Sequence, residues 1–142
     1  SESMRQSASP LAPRASVRQT RPMERVDGIG GFFFTAQGPG ALARWYADHL
    51  GIAEVPTSYD ADVWTQAAGE TVFAPFPAGA DGLPVGPAGW GINFRVRDLD
   101  AMVDQLRGAG IDVQVDPETY PNGRFAQLSD PEGNAIQLWQ PS

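Results

Sequence analysis

Polar side chains on two strand-like segments carry the clearest chemistry in the sequence. Residues 90–96 read Trp-Gly-Ile-Asn-Phe-Arg-Val, so Asn93 and Arg95 alternate with apolar positions and share one face of a predicted strand. Gln137 alternates with apolar residues in the same way within 134–140. Amides orient the polar groups of a ligand, and an arginine can clamp a carboxylate, a phenolate or a developing oxyanion. Arg95 is therefore the candidate catalytic residue, with simple pairing to an acidic neighbour as the alternative.

Aromatic side chains could supply the walls of a binding site, because their rings stack on planar or hydrophobic ligands. The candidate ligand-binding residues, aromatic and polar, are Phe33, Trp64, Phe76, Trp90, Asn93, Arg95, Gln137 and Trp139. Aromatic residues at strand spacing also build ordinary cores, and this alternative stays open for each ring. Glu118, Tyr120 and Arg124 flank a turn and form either the mouth of the pocket or a solvated hairpin end.

The residue types of familiar catalytic centres are scarce. The chain has no cysteine, which excludes disulfides, thiolate metal sites and cysteine nucleophiles. Its one histidine, His49, follows Leu42 by seven residues on the apolar face of a predicted helix, so packing or capping near the helix end is the favoured interpretation. The Gly- and Pro-rich run 79–87 lacks the pattern of a phosphate loop and is interpreted as a linker.

Two similar halves of the chain position these residues. The predicted strands are 29–35, 52–58, 62–67 and 71–76 in the first half, and 90–96, 111–119, 123–129 and 134–140 in the second. One helix begins at Pro39 and the other follows its N-cap Asp98. Each half therefore reads βαβββ, and the repeat at about 60 residues indicates an internal duplication. The fold class is α+β, with tandem modules at about 27–78 and 88–140.

Strand alternation predicts which side chains face the core and which face a polar concavity. The predicted core positions are Phe32, Phe34, Ile92, Phe94, Val96, Ile136 and Leu138. The predicted concave face carries Gly31, Phe33, Thr35, Gly91, Asn93, Arg95, Ala135, Gln137 and Trp139.

Charge divides unevenly along the 142 residues. Residues 1–22 carry four arginines against Glu2, and we interpret them as a flexible arm, a leader or a remnant preceding a start at Met23. Residues 23–142 form one domain with six arginines against sixteen acidic residues. Such an acidic body argues against nucleic acid, and no run is long and apolar enough for a membrane span. We expect a cytoplasmic protein whose partners are small molecules.

Two motifs resemble the vicinal oxygen chelate superfamily, which includes glyoxalase I, bleomycin-resistance proteins and extradiol dioxygenases. They are Trp45-Tyr-Ala-Asp-His-Leu-Gly-Ile52 at a helix end and Ser129-Asp-Pro-Glu-Gly-Asn-Ala-Ile-Gln-Leu138 around the last turn. Within the second motif Asp130 and Glu132 are interpreted as serving the turn. The resemblance spans about 27–140 and implies a curved mixed sheet around a cavity, usually with a divalent metal on its inner face. It also implies a homodimer.

The metal positions of that superfamily, carried over residue by residue, fall on Gly31, Ala74, Gly91 and Gln137. The first three have no side-chain donor, and Gln137 offers one neutral oxygen. Hard cations take several oxygen ligands, and zinc sites take three or more protein ligands. We therefore expect neither a metal nor another cofactor.

Two classes of function fit these observations. The first is a metal-independent binding protein, similar to bleomycin-resistance proteins, that holds an aromatic or hydrophobic and often cationic ligand in the sheet cavity. The second is a metal-independent lyase, isomerase or hydrolase in which Arg95 and Asn93 stabilise an anionic intermediate. Metal-dependent glyoxalase or dioxygenase activity comes third. Whether the protein is an enzyme stays open; if it is, the resemblance implies a lyase or an oxidoreductase.

Overall fold

The computed structural model describes residues 23–142, so the predicted arm 1–22 lies outside the described residues. The chain divides into two units, Ser1–Phe34 and Thr35–Ser142. The second unit contains, in order, α1 (Pro39–Leu50), β1 (Gly91–Arg95), α2 (Leu99–Gly108), β2 (Gln114–Val115), β3 (Gly123–Ser129) and β4 (Ala135–Pro141). Neither helix has the length and apolar composition that a membrane crossing requires.

The four strands form one mixed sheet in the order β1-β4-β3-β2. β1 pairs with β4 in parallel, whereas β4 with β3 and β3 with β2 are antiparallel. The run β1-α2-β2-β3-β4 is a βαβββ module, as predicted for the second half. The predicted strands 90–96, 123–129 and 134–140 are confirmed to within a residue or two, and 111–119 shrinks to the two residues of β2.

The first predicted module is wrong as a βαβββ unit. Among residues 23–90 the helix α1 forms as predicted, but none of the four predicted strands does. Phe32 and Phe34, expected in the core, are 46% and 39% exposed. Apolar alternation produces a strand only where a neighbouring strand completes the hydrogen-bond ladder, and these segments have no such neighbour within the described chain. The structure therefore shows one βαβββ-like module.

Both helices begin at the signals that the sequence carries, and α1 also ends at one. Pro39 opens α1, where its missing N–H costs nothing, and Gly51 ends it in the left-handed conformation at φ 74°. The side chain of Asp98 caps α2 by accepting a hydrogen bond from the amide of Ala101 at 3.0 Å.

The core lies between the helices and one face of the sheet. Its buried members come from α1, α2, β3, β4 and the connections between them: Leu42, Tyr46, Val96, Leu99, Val103, Leu106, Val113, Ala126, Leu128, Ile136 and Leu138. Ile92 and Phe94 pack against this cluster from β1 and are partly buried. The predicted core of the second half is thus confirmed, and the opposite face of the sheet is left for other contacts.

The turn at 130–134 ties α1 to the β3–β4 hairpin through the buried carboxylate of Asp130. Its Oδ2 accepts hydrogen bonds from Tyr46 Oη at 2.6 Å and Asn134 Nδ2 at 2.7 Å. Its Oδ1 accepts from the amides of Glu132 at 2.9 Å and Asn134 at 3.0 Å. Burial, followed by the bond to Asp130, raises the pKa of Tyr46, so its phenol keeps the proton that it donates.

Glu132 supplies the N-terminal cap that α1 lacks. Gly38 at the N-cap position has no side chain to accept a hydrogen bond. Instead Glu132 Oε1 accepts from the amide of Gln37 at 2.7 Å, and Oε2 accepts from the amide of Gly38 at 2.9 Å. A carboxylate at this end also complements the helix dipole. The two acidic residues therefore serve the turn, as predicted, and in addition dock α1 on it.

Candidate functional site

The sheet face opposite the helices carries a continuous row of amide side chains. The pairing places Asn93 beside Gln137, Gln137 beside Gln127, and Gln127 beside Gln114. These four residues, one on each strand, are called the amide row. Asn93 Nδ2 donates to Gln137 Oε1 at 2.7 Å, whereas the side chain of Gln127 has no hydrogen-bond partner within residues 23–142. Amides carry both donors and acceptors, so the row can match a ligand edge that carries both.

A second row lies on the same face, two residues further along β1 and β4. Arg95 pairs with Trp139, and Trp139 pairs with Phe125. The amide of Asp116 donates to the carbonyl of Phe125 at 2.9 Å and so places Asp116 at the far end. These four residues are called the aromatic row. The rings of Phe125 and Trp139 are parallel within 6°, with centroids 6.3 Å apart.

Two concavities open along these rows and share Gln137. One, of about 240 Å³, is lined by Pro84, Gln114, Gln127, Leu128, Ser129, Ala135, Ile136 and Gln137. The other, of about 320 Å³, is lined by Asp116, Tyr120, Asn122, Phe125 and Gln137. Both concavities are open to solvent, and each combines polar with apolar lining residues.

Trp139 of the aromatic row is buried, and its role is structural. Its side chain is 7% exposed, and its Nε1 donates to the carbonyl of Asn122 at 2.8 Å. Trp139 therefore fixes the position of Phe125 and offers little ring surface of its own.

Arg95 is engaged by the main chain. Its Nη2 donates to the carbonyl of Ala67 at 2.9 Å and its Nη1 to that of Ala68 at 3.3 Å. Gly69 lies so close that an added Cβ would overlap the guanidinium. Arg95 thus holds the 67–69 segment, and pairing with an acidic neighbour is not what occupies it.

Asp116 and Tyr120 form a hydrogen-bonded pair at the end of the aromatic row. Tyr120 Oη donates to Asp116 Oδ2 at 2.8 Å, and the amide of Glu118 donates to Oδ1 at 3.0 Å. The bond from Glu118, then that from Tyr120, lowers the pKa of Asp116. The carboxylate in turn raises the pKa of Tyr120. The pair therefore presents one negative charge and one neutral phenol.

The remaining sequence candidates are scattered. Trp90 is half-buried just before β1, while Trp64 and Phe76 are 43% and 46% exposed and lie outside any strand. Phe33 is 92% exposed in the unit that ends at Phe34. His49 packs on Trp45, with ring centroids 5.4 Å apart, in agreement with its predicted structural role.

Most residues that line the two concavities were missed among the sequence candidates, including Gln114, Asp116, Asn122, Phe125 and Gln127. Alternation along 123–129 could have identified Phe125 and Gln127, because both share a face with Ser129. Asp116 follows a strand of two residues, which is too short for any periodic signal. Tyr120 does line a concavity, whereas Arg124 turns to the helix side and pairs with Asp100 at 3.0 Å.

The metal positions suggested by the resemblance do not fit a metal. An added Cβ at Gly91 would overlap the carbonyl oxygen of Pro84, so this position cannot take a ligand side chain without a backbone shift. Ala74 is exposed and outside any strand, and the Gln137 oxygen already accepts from Asn93. Within residues 23–142 no three His, Cys, Asp or Glu side chains come together as a possible metal site.

The model of the glyoxalase-like domain family matches residues 31–139, most of the described chain. Among curated proteins, CFP32 of Mycobacterium tuberculosis and its counterpart in Mycobacterium bovis are each named as a candidate glyoxylase and are 38% identical over 61 residues. The match covers 42% of this chain and 23% of the relatives, less than a quarter of their length.

Solved structures extend the likeness over most of the chain. TnmS3, an antibiotic binding protein of Streptomyces sp. CB03234, is 27% identical, with 84% of this chain and 100% of that chain covered and a TM-score of 0.54. A glyoxalase family protein of Bacillus anthracis is 19% identical, with 83% and 100% covered and a TM-score of 0.50, which supports the fold alone.

Proposed function

This chain belongs to the glyoxalase-like domain family, and we propose that it is a small-molecule-binding protein of the glyoxalase/bleomycin-resistance type. It holds a flat aromatic or hydrophobic ligand against the amide row and the aromatic row, without a metal ion. The ligand's polar edge meets the amides, and its flat part lies along the Phe125 ring.

The observation that carries this proposal is the register of the two rows. Four amides and a stacked pair of rings come together on one face because their strands pair at these residues. Two concavities open there and share the central Gln137. Stacking and a few directed hydrogen bonds suffice to hold a ligand, and neither requires a catalytic base.

The likeness to TnmS3 supports the same proposal. That protein is an antibiotic binding protein, and this chain aligns with its full length. Fold alone does not determine function, so the support lies in the combination of that likeness with the two rows.

The enzymatic alternative receives less support. It depends on Arg95 as the group that stabilises an anionic intermediate, and both terminal nitrogens of Arg95 donate to the carbonyls of Ala67 and Ala68. A guanidinium held in this way has fewer donors left for a reacting group. Asn93 likewise donates to Gln137.

The proposal is tested by titrating chelator-treated protein with flat heteroaromatic compounds, acridine and phenazine, in a calorimeter. Saturable binding that Gln127→Ala weakens, and that Gln66→Ala on an exposed segment leaves unchanged, is the expected result. Both substitutions shorten an exposed glutamine, so they match in chemistry. Absence of binding by both compounds, or equal weakening by the two variants, would overturn the proposal.

A further inference from the structure

The concavity at the end of the aromatic row has an acidic wall. It is a shallow concavity of about 320 Å³, open to solvent and lined by Asp116, Tyr120, Asn122, Phe125 and Gln137. Contact of a flat ligand with the amides and the rings gives a role to Phe125 and Gln137, but it does not use the charge of the Asp116 carboxylate. The residues at the Asp116 end of the aromatic row therefore indicate which chemical group the ligand places there.

Asp116 is fixed in place as a negative charge. Its two oxygens accept hydrogen bonds from Tyr120 Oη at 2.8 Å and from the amide of Glu118 at 3.0 Å. Each carboxylate oxygen can accept a further hydrogen bond, so both remain capable of receiving a donor from a ligand.

Aromatic rings stand next to this carboxylate. The rings of Tyr120 and Phe125 meet edge to face, with centroids 5.8 Å apart and planes at 67°. Phe125 in turn stacks on Trp139. A cation over an aromatic face is attracted by the ring quadrupole, and a nearby carboxylate adds to that attraction.

Within residues 23–142, no positive side chain lines this position. None of the five lining residues is basic. Arg124 of β3 points to the helix side, where it pairs with Asp100 at 3.0 Å, and Arg95 is bound to main-chain carbonyls. The net charge of −7 adds a long-range attraction for cations.

We infer that this concavity is the subsite for a cationic nitrogen of the ligand, either an ammonium group or an alkylated ring nitrogen, held between the Asp116 carboxylate and the rings of Tyr120 and Phe125. The inference rests on the proposed function, because the cation belongs to the same ligand whose flat part lies on the two rows. It assigns the subsite to particular residues and predicts a preference between ligands of equal shape.

The test compares two probes of nearly the same shape, N-methylacridinium, which carries a fixed positive charge, and acridine at a pH where it is neutral. Both are titrated into the full chain by calorimetry. The cation is expected to bind about tenfold more tightly.

Three variants assign the preference to the subsite. Asp116→Asn removes the charge and keeps an acceptor for Tyr120, so it should abolish the preference for the cation over acridine. Asp104→Asn removes an equal charge from the exposed side of α2, across the sheet, and should leave the preference intact. Phe125→Leu removes the ring and should reduce the preference without a change in charge.

The outcomes separate this inference from the function on which it rests. Equal affinity of the two probes for the wild type, or equal loss of preference in Asp104→Asn and Asp116→Asn, would overturn the subsite and leave the proposed binding function standing. Failure of both probes to bind would count against the proposed function itself. If Asp116→Asn does not fold, an unchanged preference in a folded Phe125→Leu variant overturns the subsite.

Discussion

The phenol of Tyr46 and the carboxylate of Asp130 show how a few residues hold the scaffold of the site. Asp130 is 4% exposed and accepts four hydrogen bonds, one of them from Tyr46 across 84 positions of sequence. A buried carboxylate that loses a hydrogen-bond donor destabilises the folded state, because its desolvation is no longer fully offset. This contact therefore links helix α1 to the hairpin that carries Gln127 and Gln137 of the amide row.

Replacing Tyr46 with phenylalanine should lower the free energy of unfolding by about 1–2 kcal/mol, because Asp130 loses one donor while the ring still packs. Urea unfolding followed by circular dichroism measures the loss. Tyr59→Phe is the matched control, since Tyr59 is fully exposed. An equal effect of the two substitutions would show that the Tyr46 hydroxyl contributes no stability through Asp130.

The charge of Asp116 determines the pH dependence expected for a cationic ligand. Hydrogen bonds from Glu118 and Tyr120 lower its pKa below the ordinary value of 3.8, so the ionised form is favoured and half of the carboxylate is protonated only below that value. Tyr120 stays neutral because its own pKa is raised, and Glu118 adds a second negative charge nearby.

The affinity for N-methylacridinium should therefore be constant between about pH 8 and about pH 5. Calorimetric titration across that range measures it. A loss of affinity centred near the ordinary histidine range would contradict this account, because it would assign the charge to a group other than Asp116.

At the scale of elements, α1 depends on a cap supplied from the other end of the chain. Glu132 accepts hydrogen bonds from the amides of Gln37 and Gly38 and replaces the side chain that Gly38 lacks. The turn that resembles the superfamily motif thus positions a helix as well as a hairpin.

Glu132→Ala should cost about 1 kcal/mol of stability, since it leaves two amide donors at the start of α1 without their acceptor. Glu132→Gln should fall between the wild type and Glu132→Ala, because one amide oxygen remains. Denaturant midpoints give the values, with Glu54→Ala, also an exposed glutamate, as the control. Equal midpoints for Glu132→Ala and Glu54→Ala would show that Glu132 does not stabilise α1 as a cap.

The second half of the chain was predictable apart from the strand at 111–119, which shrinks to β2, and the reason is local. Asp98, Gly123 and the turn at 130–134 mark where elements begin, and apolar residues alternate in β1 and β4. The first half shows equal alternation, as in Ile29–Thr35, yet without a partner strand among the described residues it stays outside the sheet. Pairing is a long-range property that a single segment does not contain.

The site itself was predictable in part for the same reason. Asn93, Arg95, Gln137 and Trp139 were expected on one face, and alternation alone places them there. Two contacts depend on tertiary packing between segments that are distant in sequence. Arg95 binds the carbonyls of Ala67 and Ala68, and Asp116 lies beside Phe125. No local sequence pattern predicts such long-range contacts.

At the scale of the whole molecule, large apolar side chains remain exposed in the segment that connects helix α1 to strand β1. Val55, Val72 and Phe73 are 84%, 78% and 88% exposed. Exposed apolar surface on this scale is typical of contact with a partner.

We propose, as the family resemblance implies, that this partner is a second copy of the chain, giving a homodimer with a mass by sedimentation equilibrium of about twice the 15.2 kDa of the chain. Phe73→Asp should weaken it, because an exposed charge resists burial at an interface. A single species at the monomer mass over the full concentration range would contradict the expectation.

The measurement that tests the central claim most directly is a two-dimensional ¹H–¹⁵N spectrum of chelator-treated protein, recorded as acridine is added. The side-chain amides of Asn93, Gln114, Gln127 and Gln137 and the indole of Trp139 report on the two rows in the same spectrum. The account predicts saturable shifts of these signals, with those of Gln66 and Gln105 unmoved and no change in the titration when zinc is added. Shifts confined to other residues, or shifts that require the metal, would contradict it.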